Sequence, residues 1–376
     1  MESQGFEARA CLDATQEGFV IEIDGSYGEG GGQVLRTSLA LAILTQQSTR
    51  ISRIRAGRRK PGLAPQHLTV VRALASLCDA DVQGDSIGST ELVFQPRSPV
   101  EAGDYHFDVA EASRGGSAGA VTLIFQALLY PLLSAPSVSY LTLQGGTHVA
   151  WSPPFDHLTH VYFPMISRMG VQLASQLERS GFYPAGGGQL MSTIVGQNLS
   201  VQDGDELVSL RPLMLETRGE LQQVTVVVTL SQLPPHIAQR MIERVQAELR
   251  DIAPAIAVEV HNVDGPGPGV SLCLVAEYAH VLAGFSVLGE KGKSAEQVAD
   301  EACQALLEHD GTGLAVEEHL ADQLLLPMAL ARGRSGFRTS CVTQHLLTNA
   351  HIIRHFVPVH IEIQGDEGQT GEVVIE

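Results

Sequence analysis

In the first hundred positions, segments whose apolar residues have the spacing of strands take turns with segments whose apolar residues have the spacing of helices. The spacing predicts a strand at residues 19–23, a mostly apolar helix at 33–46 and a second strand at 51–56. A helix with apolar residues on one face follows at 68–78, and then a strand at 91–95. The chain therefore begins with an α/β unit in which strands and helices alternate.

The same order of elements recurs twice, which predicts three copies of one supersecondary unit. The second copy contains a strand at 105–109, a glycine-rich turn at 115–119 that opens a helix, a strand at 138–144, a helix at 153–170 and a strand at 181–195. The third copy contains a helix at 319–331, a strand at 336–344, a helix after residue 345 and strands at 357–364 and 371–376.

Residues between the second and third copies have a different pattern, with strands at 224–230 and 270–276 and helices at 235–250 and 294–308. This pattern predicts an inserted α/β domain. The predicted organisation is a polar N-terminal extension at 1–18, a large repeat domain at 19–205 and 311–376, and a small inserted domain at 206–310.

Composition limits the classes of protein that fit the chain. Its 376 residues suffice for two domains or for one large domain with an insertion. No apolar run approaches the ~18 residues that a membrane span needs, and the polar start lacks the features of a secretory signal. We therefore expect a cytoplasmic protein with no membrane partner. The five cysteines are scattered, so neither a disulfide framework nor a zinc site is predicted.

Charge is distributed unevenly along the chain. The net charge of −18 argues against nonspecific coating of nucleic acid. A basic cluster nevertheless lies within eleven positions, and it consists of Arg50, Arg53, Arg55, Arg58, Arg59 and Lys60. Two interpretations are open: the cluster is the solvated edge of a strand, or it binds one phosphate-rich end of a small partner.

His345 stands where the last strand–helix pair of the pattern meets. Side chains at such junctions project above the carboxyl edge of a sheet, where ligands of α/β proteins usually bind. The helix dipole would disfavour a protonated ring there, and a neutral imidazole is a nucleophile. The alternative is a structural histidine with a satisfied hydrogen bond.

Several motif-like patterns lack a residue that their chemistry requires. The glycine-rich residues 24–33 have no P-loop lysine, and Gln33 replaces the third glycine of a dinucleotide-binding turn. Residues 292–294 (GKS) resemble the end of a Walker A motif, but Val287 replaces its first glycine. Two pairs of histidines at helical spacing are interpreted as surface or packing residues: His157 with His160, and His351 with His355.

Five separated motifs together resemble the RNA 3'-terminal phosphate cyclase family. The resemblance covers the chain from about residue 21 to the C-terminus. The motifs are residues 24–33 (DGSYGEGGGQ) with Arg36, residues 55–67 (RAGRRKPGLAPQH), residues 181–188 (GFYPAGGG), residues 319–323 (HLADQ) and residues 345–349 (HLLTN).

The resemblance implies a fold, a reaction and two cofactors. The fold is α/β, with a large domain of three repeated two-helix, four-strand units, similar to the repeats of enolpyruvyl transferases, and a small inserted α/β domain. The implied reaction converts an RNA 3'-phosphate into a 2',3'-cyclic phosphodiester, with ATP as substrate and Mg²⁺ or Mn²⁺ as the metal. The implied partner is an RNA 3' end. Whether the chain associates with itself is left open.

The resemblance also implies roles for individual residues. His345 corresponds to the nucleophile that carries AMP, and Glu29 to a glutamate near the metal; an acid favoured by a helix start is the alternative for Glu29. Residues implied to bind phosphate or RNA are Arg36, Arg55, Arg58, Gln66 and His67, with helix capping as the alternative for the last two. Residues implied to bind ATP are Gln126, His319, Leu320, Ala321, Asp322 and Gln323.

Two other functions compete with this interpretation. Cyclase-like proteins that lack the histidine serve ribosome assembly without catalysis, and the presence of His345 argues against that group. Enolpyruvyl transferases share the repeat architecture and need no histidine nucleophile. Fold alone does not decide between them.

Overall fold

The computed structural model describes residues 20–112, 118–200 and 210–376. The predicted extension at 1–18 and most of the predicted turn at 115–119 lie outside these residues. Among the described residues, no helix is both long and apolar enough to cross a membrane.

The first repeat unit alternates strands and helices as its pattern predicts. In chain order it consists of β1 (Ile21–Asp24), α1 (Gly32–Thr45), β2 (Thr49–Ser52), α2 (Pro65–Leu77), β3 (Asp81–Gln83) and β4 (Leu92–Gln95). The predicted second strand is shorter than expected, because Arg53 and Arg55 both have a φ of 53°, which turns the chain away from the sheet. The short strand β3 carries no clear apolar alternation and was not predicted.

The second unit repeats this order around a longer sheet. It consists of β5 (Asp104–Asp108), a 3₁₀ turn (Val109–Ala112), α3 (Val121–Leu133), β6 (Val138–Gly145), α4 (Phe155–His157), a π-helical turn (Leu158–Tyr162), α5 (Phe163–Ser167), β7 (Leu173–Arg179) and β8 (Gly188–Val195). The half-exposed strand β7 was not predicted. The strand expected at 181–195 begins only at Gly188.

The third unit is interrupted after its first strand. That strand is β9 (Met214–Leu215), and the interrupting residues form β10 (Leu221–Ser231), α6 (His236–Glu248), β11 (Ile256–Asn262), β12 (Gly269–Tyr278), β13 (Leu282–Leu288) and α7 (Ala295–Thr312). The unit then continues with α8 (Glu318–Ala329), β14 (Ser335–Thr339), α9 (Gln344–Phe356), β15 (Ile361–Gln364) and β16 (Gly371–Ile375).

Strand order confirms the three copies. In the sheet of each unit the strands lie in the order first, second, fourth, third, with the first pair parallel and the other two pairs antiparallel. The interrupting residues form a sheet of different order, β11-β10-β12-β13, against which α6 and α7 pack. The α/β class is therefore as expected. The inserted residues form the expected two helices, with the unpredicted strand β11 between α6 and β12. The exact domain boundaries stay a prediction.

Helices from different units share one core. Helix α1 packs against α2 of its own unit, α3 of the second and α9 of the third, and α8 also packs on α9. Helix α1 can do so because its residues from Thr37 to Thr45 are all buried. The first turns of α1 and α9 are thereby brought together from opposite ends of the chain, and the candidate site lies there.

Candidate active site

His345 is the second residue of α9, and its position differs slightly from the expected one. The strand predicted at 336–344 ends at Thr339, and a connector leads to the helix. The helix begins at Gln344 because the Thr343 hydroxyl accepts a hydrogen bond from the Leu346 amide at 3.1 Å, as in many helix N-caps. His345 therefore lies in the first helical turn, where 45% of its side-chain surface is exposed.

Gln33 holds the imidazole of His345. The side-chain oxygen of Gln33, the second residue of α1, lies 2.7 Å from Nδ1 of His345. A carbonyl oxygen only accepts hydrogen bonds, so Nδ1 carries the hydrogen. In the neutral ring the lone pair is then on Nε2. Gln33 is the functional contact that sequence reasoning missed, although it follows directly on the glycine-rich turn.

Glu29 lies at the other nitrogen of the ring. Its Oε2 atom is 3.2 Å from Nε2 of His345 and 3.4 Å from Nη2 of Arg58. Partial burial lowers the pKa of His345, and the positive charges of Arg36 and Arg58 lower it further, while the carboxylate of Glu29 raises it. The net direction is downward, which favours the neutral ring, and in that ring Nε2 carries the lone pair of a nucleophile.

The glycine-rich loop of residues 24–33 fits closely against two helices. Gly28 has a φ of +60°, and a Cβ atom there would lie 2.1 Å from the Thr348 hydroxyl of α9. A Cβ atom on Gly32 would lie 2.4 Å from Nε2 of His67 in α2. The loop therefore needs glycine at both positions to bring Glu29 to the imidazole.

Basic groups line the side of the loop that faces α2. Burial, followed by the charges of Arg36 and Arg55, lowers the pKa of His67 to about 3. Burial lowers the pKa of Arg36 to about 10, which still leaves it charged at neutral pH. Arg55 donates a hydrogen bond from Nη1 to the Gly62 carbonyl at 2.7 Å. Arg50 lies in β2, and the other five residues of the basic cluster lie in the turn after that strand. What the cluster binds stays a prediction.

Helix α8, which packs on α9, carries residues 319–323. Glu317 caps this helix by accepting hydrogen bonds from the amides of His319 and Leu320, both at 2.6 Å. Burial raises the pKa of Asp322 to about 7. The Asp322 carbonyl accepts a hydrogen bond from the side-chain amide of Asn349 at 3.2 Å, which ties α8 to α9.

The other residues of this block differ in accessibility. His319 is exposed, whereas the side chains of Leu320 and Ala321 are buried in the core. Those two can reach a nucleotide only through their main chain. The Gln323 side-chain oxygen lies 3.4 Å from Nε2 of the buried His157.

Two of the predicted residues lie in or against the second unit. Gln126 is half-buried in α3, the helix that packs against α1 and α2. The Gln66 side-chain oxygen accepts a hydrogen bond from the Ala120 amide at 3.2 Å, so it joins the first unit to the second. Glu29 and Gln33 contact the imidazole of His345 directly.

Two patterns set aside at the sequence level have structural explanations. Ser294 is the N-cap of α7 and forms a reciprocal pair of hydrogen bonds with Gln297, so the GKS sequence begins a helix. His351 stacks on Tyr27 of the glycine-rich loop, with ring centroids 3.7 Å apart, and its Nε2 lies 3.3 Å from that of His355. Both histidines of this pair are therefore engaged in packing contacts.

Comparisons with known proteins identify the family of the chain. A family model described as RNA 3'-terminal phosphate cyclase matches residues 27–363. The chain is similar to the RNA 3'-terminal phosphate cyclase of Methylococcus capsulatus, with 48% identity over 95% of this chain and 96% of that protein. The corresponding protein of Trichormus variabilis is 49% identical, over 90% of this chain and 94% of its own length. The RNA 3'-terminal phosphate cyclase of Methanopyrus kandleri is 39% identical, over 95% of this chain and 98% of its own length.

The chain therefore belongs to the RNA 3'-terminal phosphate cyclase family, as its five motifs predict. A solved structure, the enolpyruvyl transferase NikO from Streptomyces tendae, aligns over 96% of this chain and 82% of its own. Its sequence identity to this chain is 10% and the TM-score is 0.24, which is too low to support a conclusion about fold or function.

Proposed function

We propose that the protein uses ATP to convert an RNA 3'-terminal phosphate into a 2',3'-cyclic phosphodiester, with AMP carried on His345. One observation carries the proposal: the half-exposed side chain of His345 has Nε2 beside Glu29 and Nδ1 held by Gln33, and its pKa is lowered. Membership in the cyclase family supports the overall reaction. The covalent steps below follow from the chemistry of these groups.

The reaction begins with ATP. The Nε2 lone pair attacks the α-phosphorus, the bond to pyrophosphate breaks, and a histidine–AMP phosphoramidate forms. The ring becomes positively charged in this step, and the Gln33 oxygen and the Glu29 carboxylate are placed to stabilise that charge.

Two further transfers complete the reaction. An oxygen of the RNA 3'-phosphate attacks the α-phosphorus, the P–N bond breaks, and an RNA–pp–A intermediate leaves His345 free. The neighbouring 2'-hydroxyl then attacks the activated 3'-phosphorus, loses its proton, and AMP departs. An unactivated phosphate monoester has no good leaving group, whereas the activated one needs only correct positioning of the hydroxyl.

Glu29 fits the chemistry of a divalent metal ligand. Mg²⁺ and Mn²⁺ prefer oxygen ligands and are often held by one or two carboxylates together with substrate phosphates. The Glu29 carboxylate is one-third exposed beside the nucleophile, so it can hold such an ion. The ion would neutralise charge on the triphosphate.

The basic groups around the loop fit phosphate binding. Arg36, Arg55 and Arg58 carry planar donor groups suited to phosphate oxygens. His67 is neutral because of its low pKa, so its contribution is a hydrogen bond and not a charge. We assign the ATP side of the site to residues 319–323 and Gln126. Location in the cytoplasm and self-association stay open predictions.

Labelling with ATP tests the proposal. The wild-type protein, incubated with α-³²P-ATP and Mg²⁺ or Mn²⁺, should acquire an acid-labile, base-stable label that His345→Ala lacks. His355→Ala removes an exposed histidine from the same helix and should keep the label. The labelled protein should then convert an RNA 3'-phosphate to its cyclic form.

The same experiment separates the competing functions. A non-catalytic cyclase-like protein would bind RNA without acquiring label, and an enolpyruvyl transferase would need no adenylate. Absence of label on the wild-type protein would rule out the mechanism in which His345 carries AMP.

A further inference from the structure

Three potential metal ligands converge where the second repeat unit meets the inserted sheet. His160 lies in the π-helical turn, and Glu259 and His261 lie on β11. Oε2 of Glu259 is 3.2 Å from Nε2 of His160 and 3.5 Å from Nε2 of His261. One ligand atom from each residue lies within 4.8 Å of the other two. None of these residues belongs to the proposed catalytic site.

The ring of His160 is oriented as metal-binding histidines usually are. Its Nδ1 atom lies 3.0 Å from the main-chain carbonyl oxygen of Asp156, which can only accept. With Nδ1 donating to that carbonyl, Nε2 can give its lone pair to an ion that replaces its present contact with the Glu259 carboxylate. A histidine that donates its second N–H to a carbonyl oxygen is the common arrangement behind a bound metal ion.

The local backbone of His160 is also unusual. Residues Leu158–Tyr162 form a π-helical turn, a rare structure that is often found at functional sites. The Asp156 carboxylate next to this turn is buried and accepts hydrogen bonds from Thr229 of β10 at 3.0 Å and pairs with His148 at 3.3 Å. These contacts fix the turn against the inserted sheet, so the position of His160 relative to β11 is defined.

The two ligands on β11 share one face of the strand. Glu259 and His261 are two residues apart, and side chains at that spacing point to the same side. Strand β11 is at the edge of its sheet, and both side chains are a little less than half exposed. An ion from solution can therefore reach them.

We propose that His160, Glu259 and His261 bind one divalent transition-metal ion of the zinc type and so link the inserted sheet to the second repeat unit. Two imidazole nitrogens and one carboxylate oxygen are a ligand set that suits Zn²⁺ and disfavours Mg²⁺. Ligands at ~2.1 Å from a tetrahedral ion are roughly 3.4 Å apart. The two distances to Glu259 already match that separation.

Zinc titration of the full-length chain tests this proposal. Calorimetry in excess Mg²⁺, which occupies oxygen-ligand sites, should show one Zn²⁺ bound per chain. His261→Ala and Glu259→Gln should each weaken binding at least tenfold. The matched control is His236→Ala, which removes an exposed histidine of the inserted element on α6 and should leave the affinity unchanged.

Two other readouts make the test independent of catalysis. Co²⁺ in place of Zn²⁺ should give visible absorption bands in the wild type that His261→Ala lacks. Zn²⁺ should raise the unfolding temperature of the wild type more than that of His261→Ala. Equal zinc affinity in the wild type and His261→Ala would overturn the proposal, and so would zinc binding that is lost only in His355→Ala.

Discussion

Gln33 controls which nitrogen of His345 is available to react. Without the acceptor at Nδ1, the neutral ring can place its hydrogen on either nitrogen and rotate more freely. We expect Gln33→Leu to slow self-adenylation about tenfold, the equivalent of one hydrogen bond of roughly 1.4 kcal/mol. The affinity for ATP should change little, which single-turnover labelling over a range of ATP concentrations can measure.

Gln33→Glu provides the matched control for this prediction. It keeps an acceptor oxygen at Nδ1, so the rate at high pH should recover relative to Gln33→Leu. The added carboxylate should raise the pKa of His345 and move the acid limb of the rate profile to higher pH. A Gln33→Leu variant as fast as the wild type would show that the hydrogen bond has no catalytic role.

Removing the carboxylate of Glu29 should change the pKa of His345 in the direction opposite to Gln33→Glu. This carboxylate raises the pKa of His345 against the larger effect of burial. Glu29→Gln should therefore shift the acid limb of the adenylation rate to lower pH, and it should also weaken the dependence on Mg²⁺ or Mn²⁺. The measurement is the labelling rate as a function of pH at saturating metal. An unshifted acid limb would contradict the electrostatic role.

At the level of single residues, sequence motifs indicated the chemistry but not the contacts. His345, Glu29 and Arg58 were predicted as separate candidates, and the structure places them in a row of direct contacts. Gln33 was not predicted to contact His345, because the 312 positions between them hide the pairing of α1 with α9. Only the packing of helices from different repeat units brings such residues together.

At the level of elements, the glycine-rich loop determines whether Glu29 reaches the imidazole. A Cβ atom on Gly28 would lie 2.1 Å from the Thr348 hydroxyl, and the left-handed φ adds strain. Gly28→Ala should therefore displace the loop from α9 and reduce self-adenylation at least tenfold while the chain stays folded. Circular dichroism and the labelling rate measure the two parts of this expectation.

Gly57→Ala is the control for the loop prediction. Gly57 lies in the neighbouring turn, and a Cβ atom there would meet nothing within 4 Å. This variant should adenylate at the wild-type rate. If Gly28→Ala did so as well, close contact between the loop and α9 would not be required for the reaction.

Elements with strong apolar periodicity were predicted well, and those without it were not. Helices α1, α6 and α8 begin and end within about two residues of their predicted bounds. Strand β11 was missed although Ile256, Val258 and Val260 alternate with other residues, and most of its residues are exposed. Strand β9 has only two residues, and its pairing with β14 depends on a chain segment more than a hundred positions away.

At the level of the whole molecule, buried histidines make stability depend on pH. Burial lowers the pKa of His67 to about 3 and those of His157 and His309 to about 4. Each therefore remains neutral in the folded chain at a pH where the unfolded chain, with a pKa near 6.5, takes up a proton. The stability that each provides is complete above pH 6.5 and is lost as the pH falls towards 4. Asp322, whose pKa is raised to about 7, has the opposite effect, because the stability that it provides is lost as the pH rises towards 7.

His309 isolates this effect because it lies outside the candidate active site. It is buried in α7 near the rings of Tyr278 and Phe285, and neither of its ring nitrogens has a hydrogen-bond partner among the described residues. His309→Phe should raise the free energy of unfolding at pH 8, because it removes unpaired polar atoms from the interior. Its advantage over the wild type should grow by about 2 kcal/mol at pH 5, since the phenylalanine does not titrate.

Urea unfolding at pH 5 and pH 8 measures both parts of this expectation, and His309→Gln separates them. Glutamine is polar and does not take up a proton. His309→Gln should therefore show the same gain in stability over the wild type between pH 8 and pH 5, without a higher free energy of unfolding at pH 8. If the difference between His309→Phe and the wild type were the same at both pH values, the imidazole would have to titrate normally in the folded chain. The packing between α7 and the strands that carry Tyr278 and Phe285 would then open at a low cost in free energy. The inserted sheet would be less tightly packed than its contacts indicate.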